Sequence, residues 1–266
     1  MIKQNKLQLE ISLTKRQKWI GFGLYTLLIL VSLVAYFPTL LAVVKTQIEQ
    51  IGYSRFSALQ FSLLSLVQPF ILALFALLIG QFFFSKVGLR SLLYERTSES
   101  LELFKARLSD VIFIGIGLGA GLGIVDVLIS PLIPELMDQV GQDVMLRDLL
   151  AGIFYGGIIE EVMLRFGFMS AMIYFMSRTS QQLKAWHYWV SIILVAIIFA
   201  LGHLPATLQL FEMTIFVWLR LLLMNGIVGI VAGYIYWQNT LESAIVCHMM
   251  VHVGLFIINA LMGIVL

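Results

Sequence analysis

Charge is scarce in this sequence. Only 12% of its 266 residues are Asp, Glu, Lys or Arg, about half of the roughly 25% found in soluble domains. Hydrophobic residues make up 60%, and the mean hydropathy is +0.96. That balance excludes an ordinary soluble globular protein, and it excludes disorder, which needs low hydrophobicity and high charge. An excess of one sign is missing too. The net charge of +2 is too small to point to nucleic acid as a partner. The single cysteine, Cys247, cannot close an internal disulfide. No period of 20–50 residues, no low-complexity tract and no polar segment longer than a loop occurs, which leaves no repeat array and no separate soluble domain.

Long apolar runs fill the space between the few charges. Residues 19–44, 57–85, 186–211 and 243–266 contain no charged side chain. Residues 111–134 contain only Asp126, 213–237 only Arg220, and 149–177 contain Glu160, Glu161 and Arg165. Each run is long enough to cross a hydrocarbon core of about 30 Å as a helix. Continuous rather than alternating apolarity favours helices over a barrel. The expected architecture is therefore all-α: a polytopic membrane bundle of about seven transmembrane helices. The first run is too long for a signal-peptide apolar segment and is read as a retained span.

Lys and Arg set the expected orientation. Segments 1–18, 86–110 and 178–185 hold five, five and two of them, whereas 45–56, 135–148 and 205–212 hold two, one and none. The N-terminus is accordingly placed in the cytoplasm. The 135–148 loop, with Glu135, Asp138, Asp143 and Asp148, falls outside. The connection 86–110 is a candidate interfacial amphipathic helix. Gly115, Gly117, Gly119, Gly121 and Gly123 lie inside the third run and form no phosphate-binding fingerprint. Their four-residue spacings suit close helix packing.

The polar residues inside the apolar runs carry the chemistry. A charged group at mid-bilayer costs at least about 2.5–3.5 kcal/mol, and the fourth run has three. Glu161 and Arg165 are four apart and can pair on one helix face. Glu160 lies about 100° around the helix and has no local cation, so it can serve as a proton acceptor and donor. Of four histidines, His187 is read as an interface residue between Trp186 and Trp189, while His203, His248 and His252 lie in the fifth and seventh runs. His248 and His252 share a face. The expected site is a buried polar cavity between spans four, five and seven. Helix arithmetic places Glu160 and His248 near mid-membrane and His203 several Å nearer the outer face. Asp126, Arg220 and Asn225 are read as helix–helix contacts, with Asp126 and Arg220 as potential partners. Hydrolysis and proton or ion transport both fit these residues. The absence of an internal repeat or of matched broken helices argues against a transporter.

Three stretches resemble one family. Glu160-Glu161-Val-Met-Leu-Arg165 matches an EExxxR motif, Phe199-Ala-Leu-Gly-His203 matches FxxxH, and His248 followed by His252 falls where HxxxN is expected. Together, in this order, they resemble the CPBP intramembrane proteases, the CAAX prenyl protease and bacteriocin-processing (Abi-type) group. The matched core runs from about residue 149 to 255. His252 departs from the usual Asn or Asp.

The resemblance implies a catalytic core over 149–266, preceded by an N-terminal part, 1–148, with spans one to three. It implies an endopeptidase, often described as a metalloprotease, acting on a membrane-associated peptide or protein in the lipid bilayer. Glu160, Glu161, His203, His248 and His252 are the implied catalytic residues, with Arg165 and Phe199 in support. Two mechanisms fit. In the favoured one, Glu160 and His203 activate water, and His248 with His252 stabilises the oxyanion. In the other, Glu160, His203 and His248 hold Zn²⁺ with an open position for water. No HExxH motif is present. The alternative function is a non-catalytic immunity or scaffold protein binding a bacteriocin or membrane partner. Short loops and the lack of a transit peptide or retention signal suggest a bacterial plasma membrane.

Overall fold

A computed structural model describes residues 11–52, 55–137, 146–180 and 182–265. Asp138 and Asp143 of the acidic loop, and Lys3 and Lys6 of the basic N-terminal segment, lie outside the described residues. Every described element is helical. We label the long ones α1 (Lys15–Ile51), α2 (Ala58–Val87, with a break near Leu66), α3 (Ser98–Ile129), α4 (146–177), α5 (Ala185–Gly202), α6 (Ile215–Gln238) and α7 (Leu241–Val265). Their starts follow local capping chemistry. The Thr14 side chain accepts from the Gln17 backbone, Thr97 from Ser100, and Thr214 from Val217, each satisfying an otherwise orphaned N–H.

Six of these helices are long and apolar enough to cross a membrane. The expected fourth span is not among the six. Segment 146–177 is helical, but its winding changes from α (Leu146–Ala151) to π (Gly152–Glu160 and Val162–Met169) and back to α (Ser170–Ser177). It also carries Glu160, Glu161 and Arg165 within six residues. Buried polar groups and irregular winding, which cluster at functional sites, set it apart from its apolar neighbours. The outward faces of the others are apolar: Leu27, Val34, Phe75, Phe113 and Leu128 are all exposed. In water such a surface would drive association, whereas in lipid it is the expected exterior.

Connection 86–110 differs from the expected interfacial helix. A single turn, Leu92–Glu95, precedes α3, which already starts at Ser98, so the polar residues up to Asp110 extend α3 itself. His187 also differs from expectation. It is fully buried in the first turn of α5, where its Nδ1 accepts from the Lys184 backbone N–H at 3.0 Å and its ring stacks on Trp186 at 3.9 Å. Tight capping geometry pulls the ring inward and leaves Trp186 and Trp189 at the surface.

Two contacts tie α7 to its neighbours. At one end, Glu242 in the first turn of α7 accepts from Tyr25 Oη (2.6 Å), Ser91 Oγ (2.7 Å) and the backbone N–H groups of Leu92 and Leu93 (2.8 and 2.9 Å). One carboxylate thereby joins α1, α7 and the α2–α3 connection. Along its length, α3 packs on α7 through every fourth glycine. A Cβ at Gly115 or Gly119 would collide with the backbone carbonyls of Cys247 or Val251, and one at Gly123 would sit 3.0 Å from Ile258. Gly117 and Gly121 face open space. The alternation confirms the packing reading of this glycine series, since small residues let membrane helices approach closely.

Gly119→Leu is therefore expected to prevent stable assembly, seen as aggregation on size-exclusion in detergent. Gly121→Leu should elute as wild type, and equal behaviour of the two variants would refute glycine-mediated packing of α3 on α7.

Candidate active site

Three helices bring the motif residues together. α4 supplies Glu160, Glu161 and Arg165. α5 supplies Phe199 and ends at His203, where the chain turns into the short Leu204–Leu210 helix with Pro205 in its first turn. α7 supplies His248 and His252. Glu160, Phe199, His203, His248 and His252 all line one cavity of about 250 Å³. Glu161 and Arg165 lie behind it, both with fully buried side chains. The offset in depth expected for His203 is absorbed, for its Nε2 lies 3.8 Å from Glu160 Oε1.

Proton positions follow from the hydrogen bonds. His203 Nδ1 lies 2.9 Å from the Phe199 carbonyl, which can only accept, so Nδ1 carries the hydrogen. His248 Nδ1 lies 2.8 Å from Glu161 Oε1 and likewise donates. In the neutral rings both Nε2 atoms are then bare lone pairs, and both face Glu160. The His248 Nε2 to Glu160 Oε2 distance is 4.0 Å. Separations of 3.8 and 4.0 Å are too long for direct hydrogen bonds. They suit a bridging water that donates to the carboxylate and to an imidazole.

Behind the cavity, Arg165 Nη1 contacts Glu161 Oε1 at 2.9 Å. Among the described residues no guanidinium nitrogen has a hydrogen-bond partner, so the attraction is ionic rather than directional. The guanidinium lies over the Phe199 ring at 4.9 Å. Phe199 in turn meets His203 and His248 edge-on, at 4.8 and 5.7 Å between ring centres. It thus connects the buried charge to both site histidines.

His252 stacks on His248 at 5.1 Å and 13°, and its buried Nε2 has no hydrogen-bond partner among the described residues. The ring occupies a cradle of glycines. A Cβ at Gly152 would come within 2.5 Å of its Nδ1, and one at Gly156 within 2.5 Å of its Nε2. Among the described residues, no group of three His, Cys, Asp or Glu is arranged to hold a metal ion.

Other residues of the site escape a sequence reading. Tyr36 and Tyr155 line the cavity with ring centres 4.6 Å apart. A tyrosine in an apolar run could have raised attention, but only the fold reveals which cavity it faces. Asn225 also lines the cavity, and its amide donates to its own helix at the Leu221 carbonyl rather than to a neighbouring helix. Asp126 and Arg220 do pair, in a bidentate contact of 2.8 and 2.6 Å between α3 and α6.

Residues 143–254 match the family model described as Type II CAAX prenyl endopeptidase Rce1-like. The chain thus contains a CAAX-protease (Rce1-like) domain, which spans all the motif residues and somewhat less than half of the sequence. No curated protein and no solved structure matches the chain.

Removing one member of the buried ion pair strands the other. Arg165→Met should lower stability by about 3–5 kcal/mol, and the double variant Glu161→Gln/Arg165→Met should recover most of that loss. Unfolding in detergent by denaturant titration measures both. Equal losses in the single and double variants would show that the pair does not act as a unit.

Proposed function

We propose that this protein is an intramembrane endopeptidase that hydrolyses a peptide bond in a membrane-associated peptide or protein. The observation that carries this reading is the convergence of one carboxylate, Glu160, with two imidazole Nε2 atoms at 3.8 and 4.0 Å in one cavity. The Rce1-like domain supports it.

The chemistry follows from the donors and acceptors. A water bridging Glu160 and His203 gives a proton to the carboxylate as its oxygen attacks the peptide carbonyl. The resulting oxyanion takes a hydrogen bond from the Nε2–H tautomer of His252, joined by one from His248 when its Nε2 has taken a proton from solvent. Glu161, bonded to His248 Nδ1, holds that ring in place, the part a buried carboxylate plays in a hydrolytic triad. Glu161 acts through His248 and is a positioning residue. When the C–N bond breaks, protonated Glu160 passes its proton to the leaving amine. Water supplies the nucleophile.

With 146–177 counted as a span the bundle has seven; the Lys/Arg distribution supports a cytoplasmic N-terminus, and the short loops favour a bacterial plasma membrane. In that orientation Tyr36, Leu122 and Ala151 lie in the outer halves of α1, α3 and α4. Substrate then enters from the outer half of the bilayer. Residues 149–266 form the catalytic core, and α1 and α3 from the 1–148 part complete its cavity through Tyr36 and Leu122. His252, standing where the family has Asn, favours one second reading: a non-catalytic relative that binds a bacteriocin or a membrane partner.

Cleavage of candidate membrane peptides by purified protein decides between the two. Glu160→Ala and His203→Ala should each lower the rate by about 10²–10⁴-fold while leaving membrane insertion intact, and a chelator should leave the wild-type rate unchanged. Wild-type cleavage by either variant would overturn the catalytic reading. Partner binding that survives both substitutions, without any cleavage, would establish the other.

A further inference from the structure

A second cavity, of about 270 Å³, lies towards the other end of the bundle, between α3 and the α6–α7 junction. It takes no part in the site described above. Arg107 and Asp110 stand on one side, Tyr234 and Asn239 on the other, and Val111 and Ile114 supply an apolar wall.

Asn239 is the unusual member. It is 4% exposed, and neither Oδ1 nor Nδ2 has a hydrogen-bond partner among the described residues. Its side chain is not needed for the turn it occupies. The backbone N–H of Asn239 closes α6 on the Ile235 carbonyl at 2.8 Å, and the neighbouring Thr240 caps α7 by accepting from Ser243 N–H at 3.3 Å. A buried amide left unsatisfied on both atoms is costly, and the cavity is far larger than the roughly 10–15 Å³ one water requires. A fitting ligand offers an acceptor to Nδ2 and a donor to Oδ1 at once.

The cavity walls narrow the chemistry. Arg107 Nη1 and Asp110 Oδ2 pair at 3.1 Å, with 67% and 57% of the side chains exposed, so a cation and an anion stand side by side. Together they suit a ligand that carries both charges. Tyr234 stacks on Trp189 at 5.6 Å and meets Trp237 edge-on at 6.0 Å. Aromatic clusters of this kind mark the headgroup level of a bilayer. The same end of the bundle carries the Lys/Arg-rich segments 86–110 and 178–185.

We propose that this cavity binds the headgroup of a zwitterionic phospholipid with a primary ammonium, that is, phosphoethanolamine. Its phosphate oxygens take Arg107 and Asn239 Nδ2, and its ammonium takes Asp110 and Asn239 Oδ1. A choline headgroup has no N–H for Oδ1. A headgroup with a net negative charge meets Asp110 without a compensating cation.

Native mass spectrometry of the delipidated full chain tests this, with dioleoyl phosphatidylethanolamine, phosphatidylcholine and phosphatidylglycerol added in turn. Phosphatidylethanolamine should be retained about tenfold more than either other lipid, and Asn239→Ala and Asp110→Asn should each abolish that preference. Asp110 is exposed, so its variant keeps the test valid should Asn239→Ala fail to fold. Competition by free phosphoethanolamine would assign recognition to the headgroup alone. Lipid binding without such competition would assign it to the intact lipid, and either result supports the proposal. Equal retention of the three lipids, preference for another of them, or an unchanged preference in Asp110→Asn would overturn it.

Discussion

Glu161 is a carboxylate with no access to solvent, held from two sides: by Arg165 one helical turn away and by His248 from a different helix. Burying a charge costs several kcal/mol even after the surroundings relax, so its partners must be in place whenever the bundle is assembled. The Arg165 contact fixes α4 locally. The His248 bond ties α4 to α7 and fixes the ring so that Nε2 turns toward Glu160. Phe199 adds α5 to the same unit by covering the guanidinium with its face and meeting both site histidines with its edge. The cavity wall is thus rigid because a charge behind it cannot be left unpaired.

Space for that arrangement comes from residues without side chains. α3 reaches α7 only because Gly115 and Gly119 meet backbone carbonyls directly. Gly152 and Gly156, in the π-wound part of α4, make room for the His252 ring. The facing helix thus accommodates the imidazole at position 252. The same close packing brings α1 and α3 to the cavity through Tyr36 and Leu122, so the division at residue 148 is not a boundary of the site.

Much of this was legible from periodicity and exclusion. Apolar runs separated by charged clusters predict helices and a membrane, because an unpaired backbone is intolerable in lipid. Spacing of four residues predicts the Glu161–Arg165 contact and the shared face of His248 and His252, because helix geometry is local. The Asp126–Arg220 pairing was legible only as a possibility, since two opposite charges in apolar runs need partners but their sequence separation says nothing about distance. Segment 146–177 stands apart from the six apolar spans through its polar residues and its changed winding, which hydropathy alone does not register. His187 misled by its aromatic neighbours, because a capping bond three residues away decides its burial.

The sequence by itself determined the class of protein, the approximate helix positions and the residue types available for catalysis, since these depend on composition and on contacts within one helix. Only the tertiary structure decided which atoms face each other. His203 Nε2 and His248 Nε2 both turn to Glu160 because their Nδ1 atoms are committed elsewhere, to the Phe199 carbonyl and to Glu161. The Asn239 amide, enclosed by α3 and the α6–α7 turn, has no hydrogen-bond partner among the described residues. Such facts arise from contacts between residues far apart in the chain, in a medium where every buried polar atom must find a partner or bear the cost.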